Sequence, residues 1–315
     1  MRYLEISGER LSLIGLGTWQ FGSSEWAYGE TYDNVEAARI VDRALDLGIN
    51  VFDTAEMYGR GASEIILGRA LSGHRDRAFI ASKFFPVVPL PGTVVSHGLQ
   101  SRDRLGVDHI DLYQIHWPHP HAPASFTMRG MRRLLDLGAI RHVGVSNHSL
   151  ARWRRAERSL GKPVLSNQVQ FNLINRRAAT SLVPFAKDNG RLVIAYSPLA
   201  QGLLSGVYTA SNPITGFRGR NIVNPLSSTR NLERAKPLFD VLRDIANRHG
   251  ATPAQVALAW VISHPNVIAI PGAHTVEQME LNAAAADLVL DPEDLDRLRF
   301  EPKLRRLVPG WILPS

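Results

Sequence analysis

Apolar positions along this chain fall into two recurring patterns. Short β-branched or apolar runs lie at Leu13–Gly17, Asn50–Asp53, Ala78–Phe84, Ile110–His116, Arg141–Ser146, Ser166–Gln170, Leu192–Tyr196 and Val267–Ile270. Longer stretches with helical spacing follow, at Asn34–Leu47, Ser63–Leu71, Ser149–Leu160, Arg177–Asn189, Arg234–Arg248, Thr252–Ser263 and Thr275–Ala286. Thr252-Pro253 and Asp291-Pro292 set a proline in the first turn after a capping side chain. Strand, helix, strand at this spacing predicts parallel strands joined by right-handed crossovers. Eight such runs in 315 residues predict an α/β fold, a closed (β/α)8 TIM barrel. No Gly-x-Gly-x-x-Gly follows the first run, which argues against an open dinucleotide-binding sheet. The alternation over Tyr3–Leu13, broken at Gly8-Glu9, predicts an N-terminal hairpin across the barrel floor. Residues 1–315 are expected to form one barrel domain with a C-terminal tail over 302–315.

Composition narrows the class. Cysteine is absent, so disulfides, thiol nucleophiles and thiolate metal sites are excluded. No apolar run reaches transmembrane length. Glu5 and Glu9 precede any apolar segment of the signal-peptide kind, and the protein is expected to be cytoplasmic. The net charge of +7 rests on 36 basic residues, of which only Lys83, Lys162, Lys187, Lys236 and Lys303 are lysines. These bases are scattered on helix faces, as from Arg152 to Arg158, which reads as a solvated surface. Neither a nucleic-acid nor a membrane partner is expected. A homo-oligomer is compatible with the sequence.

In a (β/α)8 barrel, chemistry gathers where strands end and the following loops begin. The second run ends at Asp53 and its loop carries Tyr58; the third ends near Lys83 and the fourth at His116. A Lys and an Asp entering a barrel core must be paired or functional. A phenol with an ordinary pKa of about 10 is a poor proton carrier at neutral pH, and an adjacent ammonium lowers it. Asp53 would hold the ammonium, and His116 would orient a carbonyl oxygen. Other readings of single residues stand beside this one. Tyr196 reads equally as a strand-end core aromatic, and Ser146-Asn147 as the lead-in to a helix starting near Ser149. The run His116-Trp117-Pro118-His119-Pro120-His121 follows an extended path set by its prolines and has no neighbouring carboxylate, so no metal site is expected. Trp19, Trp26 and Trp117 suit a substrate wall.

Asp53, Tyr58, Lys83 and His116 match in order and spacing the catalytic tetrad of the aldo-keto reductases, which this chain resembles. The likeness includes Asp53-Thr54-Ala55-Glu56-Met57-Tyr58-Gly59 and Asp111-Leu112-Tyr113-Gln114-Ile115-His116. It extends through Gly15-Leu16-Gly17-Thr18, Gly144-Val145-Ser146-Asn147, Asn167-Gln168, Tyr196-Ser197-Pro198-Leu199, Ile270-Pro271-Gly272-Ala273 and Gln278 to Asn282. Within the family it looks more like the bacterial and potassium-channel β-subunit branch. The resemblance implies an NADPH-dependent oxidoreductase that reduces an aldehyde or ketone to an alcohol. Tyr58 would be the proton donor, Lys83 and Asp53 its tuning pair, and His116 the carbonyl-orienting group. For the cofactor it implies Gly17, Thr18, Asp53, Ser146, Asn147, Gln168, Tyr196, Ser197, Pro198, Leu199, Gly202, Gly272, Ala273, His274, Gln278 and Asn282. Trp19, Tyr58, His116 and Trp117 would face the substrate. His274 stands where family members often carry a base for the 2′-phosphate, and Val207 where relatives have Lys. Arg218 or Arg220 would compensate. On helix three, Arg102 replaces a packing Leu. Two other readings share these residues: a weakly active NADPH-binding regulatory subunit, and an aldolase or isomerase using Lys83 as a Schiff base.

Overall fold

A computed structural model describes residues 1–30, 32–209, 212 and 228–302. Strands β3 (Leu16–Gly17), β4 (Val51–Asp53), β5 (Phe79–Phe84) and β6 (Ile110–Ile115) pair in parallel in chain order, followed by β7 (Ile140–Ser146), β8 (Ser166–Gln170), β9 (Leu192–Tyr196) and β10 (Val267–Ala269). The sheet closes on itself where Ile14 bridges Ala269 in parallel. Around that seam Gly15 N donates to Ala269 O (2.8 Å), Gly17 N to Pro271 O (3.0 Å) and Ala269 N to Leu13 O (2.9 Å). The (β/α)8 expectation is met. The first strand is shorter than its apolar run, because part of that run is spent on the seam. Gly17 is needed there: a Cβ would stand 2.8 Å from Ile270 O.

The helices α1 (Asn34–Asp46), α2 (Ala62–Ala70), α3 (Pro91–Leu105), α4 (Ala124–Asp136), α5 (Leu150–Leu160) and α6 (Ala178–Asn189) surround the sheet. They are joined by α7 (Thr229–His249), α8 (Pro253–Ile262), α9 (Val276–Ala284) and α10 (Pro292–Arg297). Their starts follow the capping residues: Asp33 accepts from Val35 N and Glu36 N, and Thr252 and Asp291 each complete a capping box. α3 and α4 are missing from the periodic stretches read off the sequence. Gly98 and Ser101 on α3 and Thr127 and Gly130 on α4 are buried small or polar residues that dilute the apolar face. The spacing Met128, Met131, Leu134 was the available signal for α4. Arg102 lies beside the packing stripe of Val94, Gly98, Ser101 and Leu105 and pairs with Asp103 at 2.8 Å, so α3 docks without a Leu there.

The hairpin of β1 (Tyr3–Ile6) and β2 (Glu9–Ser12) crosses the floor in the register Tyr3↔Ser12 to Ile6↔Glu9. Ile6 and Leu11 enter an apolar cluster with Val51, Phe79, Leu112, Leu165, Leu192 and Ile268 from the barrel interior. Asn50 pins it from below β4, accepting from Ser12 N (2.8 Å) and donating to Arg10 O (2.6 Å). No helix among the described residues is long and apolar enough to cross a membrane.

Candidate active site at the barrel mouth

Each strand of the barrel ends at the same rim, and several side chains at or next to those ends are polar. Asp53 ends β4, Lys83 lies near the end of β5, His116 directly follows β6, and Tyr58 stands on a turn after β4. Lys83 is fully buried. Its Nζ donates to Asp53 Oδ1 (2.5 Å), Thr54 O (2.7 Å) and Tyr58 Oη (3.2 Å), which uses all three ammonium protons. The second Asp53 oxygen accepts from Gln168 Nε2 at 2.7 Å. The buried charges are thus paired and hydrogen-bonded, the condition under which burial is tolerable. The Tyr58 and His116 rings meet edge to face, with centroids 5.9 Å apart.

Burial opposes the ammonium of Lys83, but Asp53 and Tyr58 outweigh it, and its pKa is raised. At Tyr58 the ammonium lowers the phenol's pKa as expected, but it does not set the net direction. Burial pushes the phenol above its usual value; Lys83 pulls downward without overcoming this, and Asp53 adds to the rise. The hydroxyl therefore stays protonated at neutral pH. Burial, helped by the charge of Lys83, lowers His116 to about 3, so its imidazole is neutral. Its Nδ1 is enclosed with no hydrogen-bond partner among the described residues.

The adjoining loop ends form a second network. Ser146 Oγ donates to Gln168 O (2.8 Å), and Asn147 Nδ2 donates to His116 O (3.1 Å). Tyr196 Oη donates to Asn147 Oδ1 (3.0 Å), which ties this strand end into the same network. Asn147 takes φ of 59°, a left-handed conformation that asparagine tolerates better than most residues.

These residues open on a cleft of 1870 Å³. Gly17, Thr18, Asp53, Ser146, Asn147, Gln168, Tyr196, Ser197, Pro198, Leu199 and Gly202 all line it, as do Gly272, His274, Gln278 and Asn282. Trp19, Tyr58, His116 and Trp117 line it too; Trp19 packs on Tyr58 with centroids 6.2 Å apart and on Trp26 at 5.0 Å. Ala273 does not. It is buried behind the wall, and its carbonyl accepts from Gln20 Nε2 at 2.9 Å, because the chain must turn there to start α9. Lys83 does not line the cleft itself; it lies behind Asp53 and Tyr58, which do. Arg218 and Arg220, and the tail over 303–315, lie outside the described residues. His119 Nδ1 accepts from the backbone N–H groups of His121 (3.2 Å) and Ala122 (2.8 Å).

The strand-end rule also leads to residues the sequence reading passed over. Gln20, Arg60, Phe85, Asn172 and Asn175 line the cleft from loops that follow the strands. Phe85 sits directly after β5 and was findable by position; the others lie further along their loops.

A family model described as "Aldo/keto reductase family" matches residues 13–300. An uncharacterized oxidoreductase of Mycobacterium tuberculosis is 54% identical over 299 residues, covering 95% of this chain and 92% of the relative. An aldo-keto reductase of Bacillus subtilis is 33% identical, over 93% and 91% respectively. Among solved structures, an aldo-keto reductase from Klebsiella pneumoniae in complex with NADPH superposes with a TM-score of 0.78 at 30% identity, covering 97% of this chain and 98% of that one. With the tetrad, the barrel and the family match in agreement, the chain belongs to the aldo/keto reductase family.

Proposed function

We propose that the protein reduces an aldehyde or ketone with NADPH, and that Tyr58 donates the proton. The observation that carries this reading is the Lys83 ammonium, held between the Asp53 carboxylate and the Tyr58 hydroxyl beneath the cleft. The residues of the cleft fit such a cofactor. α9 points its N-terminal end into the cleft through His274 and Gln278, and a helix N-terminus favours phosphate. The turn over Ser197–Gly206 has left-handed backbone at Ser197, Ala200, Gln201, Gly202 and Gly206, the kind of winding that presents amides to anions. Ser146, Asn147 and Gln168 would bind the carboxamide, Tyr196 would pack on the ring, and Gly272 to Asn282 would hold the adenosine end. The bound nicotinamide supplies hydride.

The chain's own residues handle the proton. Tyr58, protonated at neutral pH, donates to the developing alkoxide. Lys83 stabilises the phenolate left behind, and Asp53 keeps Lys83 charged and oriented. The neutral imidazole of His116 positions the carbonyl oxygen beside the phenol. The aromatic wall of Trp19, Trp26 and Trp117 excludes water and packs against an apolar substituent. A Schiff-base role for Lys83 is disfavoured, since its nitrogen has no free proton or path to the cleft.

Loss of the reduced cofactor's absorbance with a panel of aldehydes tests the reaction. Tyr58→Phe should cut turnover by about 10²- to 10⁴-fold, the usual contribution of a general acid. Cofactor binding should barely change. Unchanged turnover in this variant would remove Tyr58 from the role; a wild-type protein that binds NADPH but reduces no carbonyl would favour the regulatory reading.

A further inference from the structure

Two residues after Tyr58 stands an arginine whose backbone conformation argues against it. Gly59, Arg60 and Gly61 take φ of 55°, 56° and 93° in succession. Packing accounts for both glycines: a Cβ on Gly59 would stand 2.6 Å from Gly22 O, and one on Gly61 2.9 Å from Arg104 Cδ. Arg60 bears the left-handed penalty of about 1–2 kcal/mol, which a glycine would avoid. The fold shows no compensating contact, because among the described residues the Arg60 side chain makes no ion pair or hydrogen bond. Arg75, Arg104, Arg191 and Arg248 each engage a carboxylate.

Arg60 borders two cavities. One is the main cleft; the other is a side cleft of 380 Å³ reached past Met57 and Phe85, which line both. Other charged groups around the side cleft are committed. Glu56 accepts from Phe85 N (2.6 Å) and faces His97 Nδ1 (2.8 Å), and Arg104 is bound to Glu64 at 2.6 Å. In the main cleft Arg60 is the one Lys or Arg among the described lining residues; of the two carboxylates there, Asp53 is paired with Lys83, and Glu301 acts on Arg176. An uncommitted cation therefore stands at the junction, beside the apolar walls of Met57 and Phe85 and two Cα steps from Tyr58.

We infer that Arg60 is a specificity-determining residue that binds the anionic end of the substrate. The substrate class is a carbonyl compound carrying a carboxylate a few bonds from the reacting carbon. This inference rests on the proposed reductase reading. Tyr58 and Arg60 line the same cleft, so a ligand whose carbonyl sits at the Tyr58 hydroxyl can carry a short linker toward the guanidinium. Met57 and Phe85 would flank the linker. A guanidinium presents two parallel N–H donors to a carboxylate, which adds direction to charge.

The test compares 4-oxobutanoate with butanal, which has the same chain length and no carboxylate. In Arg60→Gln, kcat/KM for 4-oxobutanoate should fall about tenfold, mainly through KM, the size of one charge-assisted hydrogen bond near solvent. Butanal and NADPH affinity should be spared, and Arg60→Lys should recover part of the loss. Equal losses for the two aldehydes, or no loss for either, overturn the inference. A second arm needs no turnover: quenching of tryptophan fluorescence by succinate, in the presence of NADPH, should be about tenfold weaker in Arg60→Gln. Equal succinate affinity overturns the inference even if the wild type proves inactive, while absence of turnover with any aldehyde counts only against the reductase reading.

Discussion

The two ends of this barrel are built from the same eight strands and obey opposite rules. At the floor, the hairpin drives Ile6 and Leu11 into a cluster of buried Val, Leu, Ile and Phe side chains. At the mouth, Asp53 and Lys83 are buried, and the enclosed His116 Nδ1 and Gln201 Oε1 have no hydrogen-bond partner among the described residues. Backbone strain is distributed the same way. Of the eight non-glycine residues with positive φ among the described residues, Arg60, Asn147, Ser197, Ala200 and Gln201 line the cleft. The floor contributes transfer free energy, while the mouth gives some of it up to hold groups in chemically useful states. A barrel can combine the two because each strand carries both ends, so the cost at one rim is met by packing at the other.

The largest effect that would sharpen this contrast is expected from Lys83→Met. It leaves Asp53 buried without its cation and removes the group proposed to stabilise the phenolate. Turnover should fall by about 10²- to 10⁴-fold, with about 3–5 kcal/mol of stability lost. Combined with Tyr58→Phe, the rate should be scarcely worse than that of the poorer single variant, because the two residues act as one unit. Multiplicative losses in single-turnover measurements would break the unit apart.

Leu11→Ala probes the other end. Leu11 is fully buried in the floor cluster, and the cavity should cost about 2–5 kcal/mol, read as a lower urea midpoint. Activity per folded molecule should be unaffected. A matched loss of kcat/KM would mean that floor packing reaches the mouth and that the two ends are not separable.

The smallest expected effect concerns pH. Burial lowers His148 to about 4, with the Ser146 carbonyl opposing the shift. In the fold it is neutral, whereas in the unfolded chain it takes up a proton below about 6.5. The unfolded state then binds more protons, so stability is full above that pH and falls as pH drops toward 4. The loss attributable to His148 is roughly 2 kcal/mol at pH 5. Urea midpoints measured between pH 7 and 5 should show this slope together with that of His116, and His148→Gln should reduce it by the His148 share. An unchanged slope in the variant would place the sensitivity elsewhere, with His116 the next group to examine.

The strand runs were legible because most barrel strands carry short runs of β-branched or apolar residues separated by longer amphipathic stretches. The tetrad was legible because Asp53, Lys83 and His116 sit at the ends of such runs, where a polar residue needs a reason. Two helices escaped because their buried faces use Gly, Ser and Thr, which carry no hydrophobic period. Arg60 escaped because a single exposed arginine in a chain with 36 basic residues carries no signal of its own.

What the sequence determined alone is the alternation of strand and helix, the polar strand ends and the plug at the floor, since each depends on local period and side-chain type. Tertiary structure decided how those groups behave. It placed Lys83 behind Tyr58 rather than in the cleft, and it turned Ala273 into the wall. Burial also outweighed the ammonium at the phenol. These outcomes depend on distance and desolvation between residues far apart in the chain, and neither quantity is written in the order of the amino acids.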